Sequence, residues 1–241
     1  MWAQVIEEAP RFFGPWNLLF LGTALLHTLL LSYLGALGGF AIGFLLAVAR
    51  HRRLAGFLPA AVLAIAYVET FRRIPFLVKL MCVFFAFQLA GAQASMFMVA
   101  LVTVVLSAAA FAAEIFRAGL ESVPAQQWDA AEAMNFSRTR TLFGIVLPQA
   151  WKVIVPPAFG YVVGFMKSTS IASQIGVLEL TYAAKVLNTR GFSALLCFGT
   201  VLLLYFAICW PTKLLGEALE RRLTRRAPAT NLPPLPELSA R

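Results

Sequence analysis

Charge is scarce in this chain. Only 13% of its 241 residues are Asp, Glu, Lys or Arg, well under what the surface of a water-soluble domain carries. Histidine occurs twice, at His27 and His51, and cysteine three times, at Cys82, Cys197 and Cys209. An odd number of cysteines set within apolar blocks argues against a disulfide framework or a zinc site, and the three read as small core hydrophobes. An enzyme acting inside a membrane needs a nucleophile and base, or metal ligands, at meeting positions, and no such constellation is visible. A glycine-rich loop ending in Gly-Lys-Ser/Thr is also missing, so ATP hydrolysis by this chain alone is not expected. Acidic residues are few as well, 11 against 20 basic ones, for a net charge of +9.

What is abundant is hydrophobic sequence, 60% of the chain, gathered in long blocks rather than in short periodic stripes. That pattern places the chain in lipid. The first block, Leu18 to Ala49, is too long for a buried core helix and is followed at once by Arg50, His51, Arg52 and Arg53. Because the positive charge follows the apolar run, the block is not read as a cleavable signal peptide. Further blocks run from about Phe57 to Ala90, Met96 to Phe116, Trp151 to Met166 and Ala194 to Leu215, making five candidate spans. As one straight helix the second would be about 50 Å long, against a hydrocarbon layer of roughly 30 Å. A break at Arg73-Ile74-Pro75 resolves the excess, since proline lacks an N–H and disfavours helical geometry in the residue before it. Pro156 and Pro157 should distort the fourth span similarly, or act as plain packing kinks.

Lys and Arg fix the expected orientation. Arg50, Arg52, Arg53, Arg117, Arg138, Arg140, Lys152, Arg221, Arg222, Arg225 and Arg226 fall on one side, while the other has Arg11, Lys185 and Arg190. The positive-inside rule then puts the N-terminus outside and the C-terminus inside. Topology and contact with anionic lipid account for the net charge, and nucleic acid is not needed as a partner. Residues 1–18 read as an external N-terminal segment. Residues 223–241, with Pro233, Pro234 and Pro236, have the composition of a disordered tail. No internal repeat is evident, so two-fold symmetry in a working pore would require a second subunit.

Within residues 122–148 lies a polar island between spans. Its order is Asp129, Ala130, Ala131, three residues, Asn135, nine residues, Ile145, any residue, Leu147, Pro148. Pro124 suits a first helical turn with Ser122 as its cap, and Ala125 to Met134 holds strong helix formers with four alanines. Asn135 is suited to the left-handed residue that ends a helix. Ser137 can cap a second short helix through Arg138, Thr139 and Arg140, with Pro148 expected to close it before the fourth span. The plain alternative is an amphipathic loop helix lying on the membrane surface.

This spacing resembles the coupling loop of ABC-importer permeases, Glu-Ala-Ala, three residues, Gly, nine residues, Ile, any residue, Leu-Pro, with Asp129 for Glu and Asn135 for Gly. The strings YVETFRRIPFLVKL (Tyr67 to Leu80), AAEIFRAGLESVPAQQWDAAEAMN (Ala112 to Asn135) and KSTSIASQIGVLEL (Lys167 to Leu180) resemble successive landmarks of polar amino-acid ABC-importer permeases. The resemblance covers roughly residues 19–222. It implies an all-α integral membrane protein of about five spans with a type I transmembrane domain, sited in the bacterial inner membrane. It further implies a second permease subunit, identical or homologous, a cytoplasmic ATPase dimer that binds ATP and Mg, and an external solute-binding protein that delivers an amino acid for alternating access. The ATPase-coupling residues would be Asp129, Ala130, Ala131, Asn135, Ile145, Leu147 and Pro148.

Ionisable groups inside spans complete the reading, since each is costly unless paired or hydrated. Glu69 precedes Arg72 and Arg73 by three and four residues and can pair with them on one helical face. Glu114 and Arg117 share that spacing, and a structural pair is the plainer reading of them. Lys79 has no partner within a turn. Lys167 is followed by Ser168, Thr169 and Ser170, a cation and three hydroxyls suited to an amino acid's carboxylate, although Lys167 could instead snorkel to the outer interface. The expected substrate path therefore comprises Lys167, Ser168, Thr169, Ser170, Glu69 and Arg72. His27 reads as a satisfied core histidine. Where the family has Lys-Asp-Thr-Ser this chain has Ser168 in the acidic position, and Arg73 stands where Gly often follows Arg. The lost acid points away from arginine or lysine as substrate. A passive channel for small polar solutes remains the alternative, because polar residues in spans serve channels too.

Overall fold

The computed structural model describes residues 2–54 and 58–225. All regular structure among them is helical: α1 (Trp2–Phe12), α2 (Pro15–Arg50), α3 (Leu58–Arg73), α4 (Phe76–Leu89), α5 (Met96–Glu121), α6 (Ala125–Ala133), α7 (Arg138–Thr141), a π-helical turn Leu142–Val146, α8 (Leu147–Ser168), a 3-10 segment Thr169–Ile175, α9 (Leu180–Thr189) and α10 (Ala194–Arg225). Four stretches are long and apolar enough to cross a membrane, Pro15–Arg50, Met96–Glu121, Arg138–Ile175 and Ala194–Leu223. The second expected span is divided between α3 and α4.

The division falls where the sequence predicts it, at Ile74-Pro75. Pro75 cannot donate to the carbonyl of Phe71 four residues earlier. That carbonyl instead accepts a hydrogen bond from Lys79 Nζ at 3.0 Å. Lys79 is buried, so its ammonium serves as the donor that the proline removed.

Helices α2 and α5 form the centre of the bundle and run parallel. Gly35, Gly39 and Gly43 of α2 face Val104, Ala108 and Ala112 of α5, each series spaced by four and so on one helical face. A Cβ on Gly43 would lie 2.6 Å from Ala112 Cβ and 2.8 Å from the Ala109 carbonyl oxygen, so the backbones meet with no room for a side chain. This is the small-residue approach typical of helix pairs in lipid.

One end of the bundle gathers the Arg-rich loop after α2, the α6–α7 segment and the start of α8. At the other, Phe12 packs edge-on to Phe192 and Glu8 accepts from the backbone N–H of Ser193 at 2.7 Å, joining α1 to the start of α10. The turn 178–180 is fastened to α2: Leu178 O lies 2.9 Å from His27 Nδ1, and Leu180 N–H donates to Thr28 Oγ1 at 3.2 Å. His27 is thus half-buried with its Nδ1 partnered by a backbone carbonyl, a structural role rather than a ligand's.

Helix α8 continues through Pro156 and Pro157. Two expectations are corrected. Helix α10 runs on to Arg225, so residues 223–225 belong to it rather than to a tail, and residues 226–241 lie outside the described residues. Pro148 does not close the helix of Arg138–Thr141. The chain stays helical by widening to a π turn in which Leu147 N–H reaches Leu142 O, and Pro148 then sits in the first turn of α8, where its missing N–H is tolerated.

Candidate functional site

The polar island forms the expected pair of short helices. Helix α6 ends at Ala133, and Asn135 takes φ 56°, the only positive φ at a non-glycine residue among those described. Asn is among the few residues that adopt this conformation readily. Ser137 Oγ accepts from Arg140 N–H at 3.3 Å and caps α7 as predicted. Ser122 does not cap α6. Its hydroxyl donates to the Gly119 carbonyl at 2.7 Å and closes α5, because the intervening Val123-Pro124 carries it a turn away from the α6 N-terminus.

Two contacts tie α6 to the end of α2. The His51 ring stacks on Trp128 with centroids 4.7 Å apart and planes 20° off parallel. Arg53 donates to Asp129 Oδ1 at 2.6 Å. Burial holds the His51 imidazole below the usual histidine range, with Glu121 pulling it up and Arg53 pushing it further down. Ala131 is completely buried against its own chain along with Trp128, whereas Gln126, Asp129, Ala130, Ala133 and Met134 are exposed. Of the expected coupling residues, Asp129, Ala130, Asn135 and Pro148 are exposed, Ile145 and Leu147 half-buried, and Ala131 faces inward. Sequence reasoning missed His51 and Trp128. The missed signal was the aromatic pair itself, a histidine directly after the first span and a tryptophan beside the acid of the motif.

Just inside this end, Glu114 collects three arginines: Arg50 at 2.6 Å, Arg117 at 2.8 Å and Arg72 at 3.4 Å. Arg117 also reaches Glu121 at 2.6 Å. Glu69 pairs with Arg73 at 2.7 Å but not with Arg72, since the α3 terminus points Arg72 toward α5. One carboxylate therefore joins the ends of α2, α3 and α5.

The Lys167 segment lies on a different wall. Val153, Pro157, Gly160, Gly164 and Lys167 share one face of α8 and are all exposed. The hydroxyls beside Lys167 do not converge on a common point. Ser168 donates to Gly164 O, Thr169 to Met166 O and Ser170 to Lys167 O, the back-bonding usual for such residues in helices. Lys167 lines two adjoining grooves of about 310 and 320 Å³ between α8, α9 and α10, and Tyr205 lines both. Tyr205 is about 16 Å along α10 from either end of its apolar stretch Ala194 to Leu215. Lys167 itself stands at the C-terminal end of α8 and is exposed. The structure does not bring Glu69 and Arg72 to this groove.

The sequence profile described as "Binding-protein-dependent transport system inner membrane component" matches residues 39–225. The chain belongs to this family. Among curated relatives of this inner membrane component, the "Probable amino-acid ABC transporter permease protein YckA" of Bacillus subtilis (strain 168) is 33% identical over 196 residues, covering 81% of this chain and 85% of the relative. The "L-cystine transport system permease protein TcyB" of the same organism is 31% identical over 218 residues, 88% and 92% of the two chains. The "Glutamine transport system permease protein GlnP" of Escherichia coli (strain K12) is 31% identical over 198 residues, 81% and 89%. Among solved structures, an amino acid ABC transporter crystallised with histidines superposes with TM-score 0.76 at 25% identity, over 84% of this chain and 94% of that one. The inward-facing MetNI methionine ABC transporter gives TM-score 0.75 at 22% identity, over 88% and 100%, a likeness of fold. The inner membrane component thus has the type I importer transmembrane fold, and its family works with an ATPase and a binding protein.

Proposed function

We propose that this chain is the permease subunit of an ATP-driven importer of amino acids. Helix α6 receives a cytoplasmic ATPase that binds ATP and Mg, and the Lys167 wall of α8 lines the path together with a second permease subunit. The single observation that carries the coupling role is the mounting of α6. One of its faces is fixed to the α2 terminus through Trp128–His51 and Asp129–Arg53, and the opposite face is left bare around Ala130, Ala133 and Met134. A pull on that bare face reaches α2, and the arginines around Glu114 pass it to α3 and α5. Differential affinity of the partners for the two states supplies the thermodynamic drive.

For the path, an exposed lysine that shares its grooves with Tyr205, midway along the apolar stretch of α10, favours a hydrated or subunit-facing wall over lipid. Lys167 contributes a cation and Ser168 takes the family's acidic position, so the path favours acidic or neutral polar amino acids over cationic ones. Names of relatives that carry glutamine or cystine agree with that class. Ser168 and Ser170 belong to this stretch of the path, with Thr169 buried behind it, and Glu69 and Arg72 act nearer the cytoplasmic end.

The test is reconstitution with the co-purifying ATPase and several binding proteins in vesicles. ATP-dependent uptake of a neutral or acidic amino acid, weakened for anionic substrates by Lys167→Ala, is the expected result. Solute flux without nucleotide would establish the channel reading instead.

A further inference from the structure

Tyr205 and Glu179 stand behind the Lys167 groove. The Glu179 carboxylate is completely buried and accepts from three donors: Thr181 N–H at 2.9 Å, Tyr182 N–H at 2.7 Å and the Tyr205 hydroxyl at 2.8 Å. Two of these satisfy the first turn of α9, so Glu179 is its N-cap. The third contact has a consequence for the groove. A phenol has one proton, and Tyr205 gives its proton to Glu179, so toward the groove the oxygen offers lone pairs only. Ser170 is in the same condition, its proton being donated to Lys167 O at 2.7 Å. The polar lining therefore comprises the ammonium groups of Lys167 and Lys213, the Thr181 hydroxyl and the Cys209 thiol, and two hydroxyl oxygens, of Tyr205 and Ser170, whose protons are already given away.

We infer that Lys167 takes the carboxylate of the transported amino acid while Tyr205, backed by Glu179, accepts its ammonium group, which makes this groove a site for zwitterions with uncharged side chains. The inference rests on the importer reading above and narrows its substrate class. A carboxylate behind a phenol polarises the O–H bond and makes the oxygen a stronger acceptor for a cation. Phe198, Val201 and Leu202 on one side and Val163, Phe206 and Trp210 on the other give the lining its apolar walls. No Asp or Glu is among the lining residues to pair with a cationic side chain. The second lysine there, Lys213, lies 3.5 Å from Glu217 and is balanced already, so an acidic side chain finds no free cation beyond the one its own backbone carboxylate uses.

The test uses the intact permease–ATPase complex in detergent without binding protein, so that the path alone selects. Three probes are compared by direct binding: glutamine, arginine, and glutaramate, which is glutamine without its α-amino group. The wild-type complex should bind glutamine about tenfold or more tightly than glutaramate, the loss expected for one charge-assisted hydrogen bond, and more tightly than arginine. Tyr205→Phe should weaken glutamine by a similar factor and leave glutaramate unchanged, which abolishes the preference. A merely structural tyrosine would weaken both probes together, and that result overturns the assignment. If Tyr205→Phe fails to assemble, the wild-type comparison decides, because equal binding of glutamine and glutaramate also overturns it. Tightest binding of arginine would overturn the neutral class. Failure of the importer reading is distinct: the wild-type complex with its binding proteins would then import no amino acid at all.

Discussion

Asn135 shows how one residue sets the shape of the segment. Its φ of 56° lies where glycine is unstrained and β-branched residues are heavily strained. Asn135→Gly should therefore keep transport and thermal stability, while Asn135→Val should lower the melting temperature of the complex by a few degrees, reflecting a strain of about 1–2 kcal/mol. A marked loss of transport in the glycine variant would reveal a side-chain role for Asn135. His51 supplies the pH-dependent residue. Its neutral form is favoured in the stack on Trp128, so its contribution is fully present above the ordinary histidine value and is lost as pH falls through its own depressed value. A ring-nitrogen NMR titration in a His27→Gln background should find His51 below the normal range and, in Trp128→Ala, nearer to it. An identical titration in both backgrounds would show that the indole has no part in the shift.

At the scale of elements, α6 has two faces with opposite demands. Ala131 is wholly buried and Ala130 is bare. Ala131→Glu would place a carboxylate within the packing of the chain itself, at a cost of several kcal/mol, and should reduce the amount of folded permease. Ala130→Glu should leave the amount and melting temperature unchanged and abolish co-purification of the ATPase. Equal behaviour of the two variants would contradict this division of faces. The α2–α5 seam has a similar contrast. Gly39→Val meets the Ala108–Ala109 backbone at 3.0 Å and should destabilise by about 1–3 kcal/mol. Gly22→Ala on the same helix meets nothing within 4 Å and should stabilise slightly through helix propensity, as thermal denaturation in detergent would record.

For the whole molecule, the helical spans, the break at Pro75 and the double short helix were legible because each rests on local physics: apolar length, a missing N–H, a cap and a left-handed residue. The parts that were not legible depend on distance in space. Nothing in the sequence joins Arg72 to Glu114 rather than to Glu69 three residues away, since the choice depends on how α3 lands beside α5. Ala131 looks like its neighbour Ala130 until the helix is docked. Lys79 had no partner within a turn because its partner is a backbone carbonyl eight residues back, freed by a proline. Tyr205 and Glu179 went unnoticed because they lie 26 residues apart and meet only when α10 returns beside α9.

The glycine stripe of α2 also has a consequence in the order of synthesis. A ribosome releases α2 before α5, with 45 residues between Arg50 and Met96, and until α5 follows, Gly35, Gly39 and Gly43 present a bare backbone groove to whatever lies beside them. The first span therefore waits, inserted and unmatched, for the third. A chain truncated after Ser95 should insert and then be cleared by membrane proteases faster than one truncated after Glu121, as a pulse–chase comparison would show. Equal lifetimes would mean that another element shelters the stripe during the wait. Closing the groove makes α5 the step at which the nascent bundle first becomes a stable object.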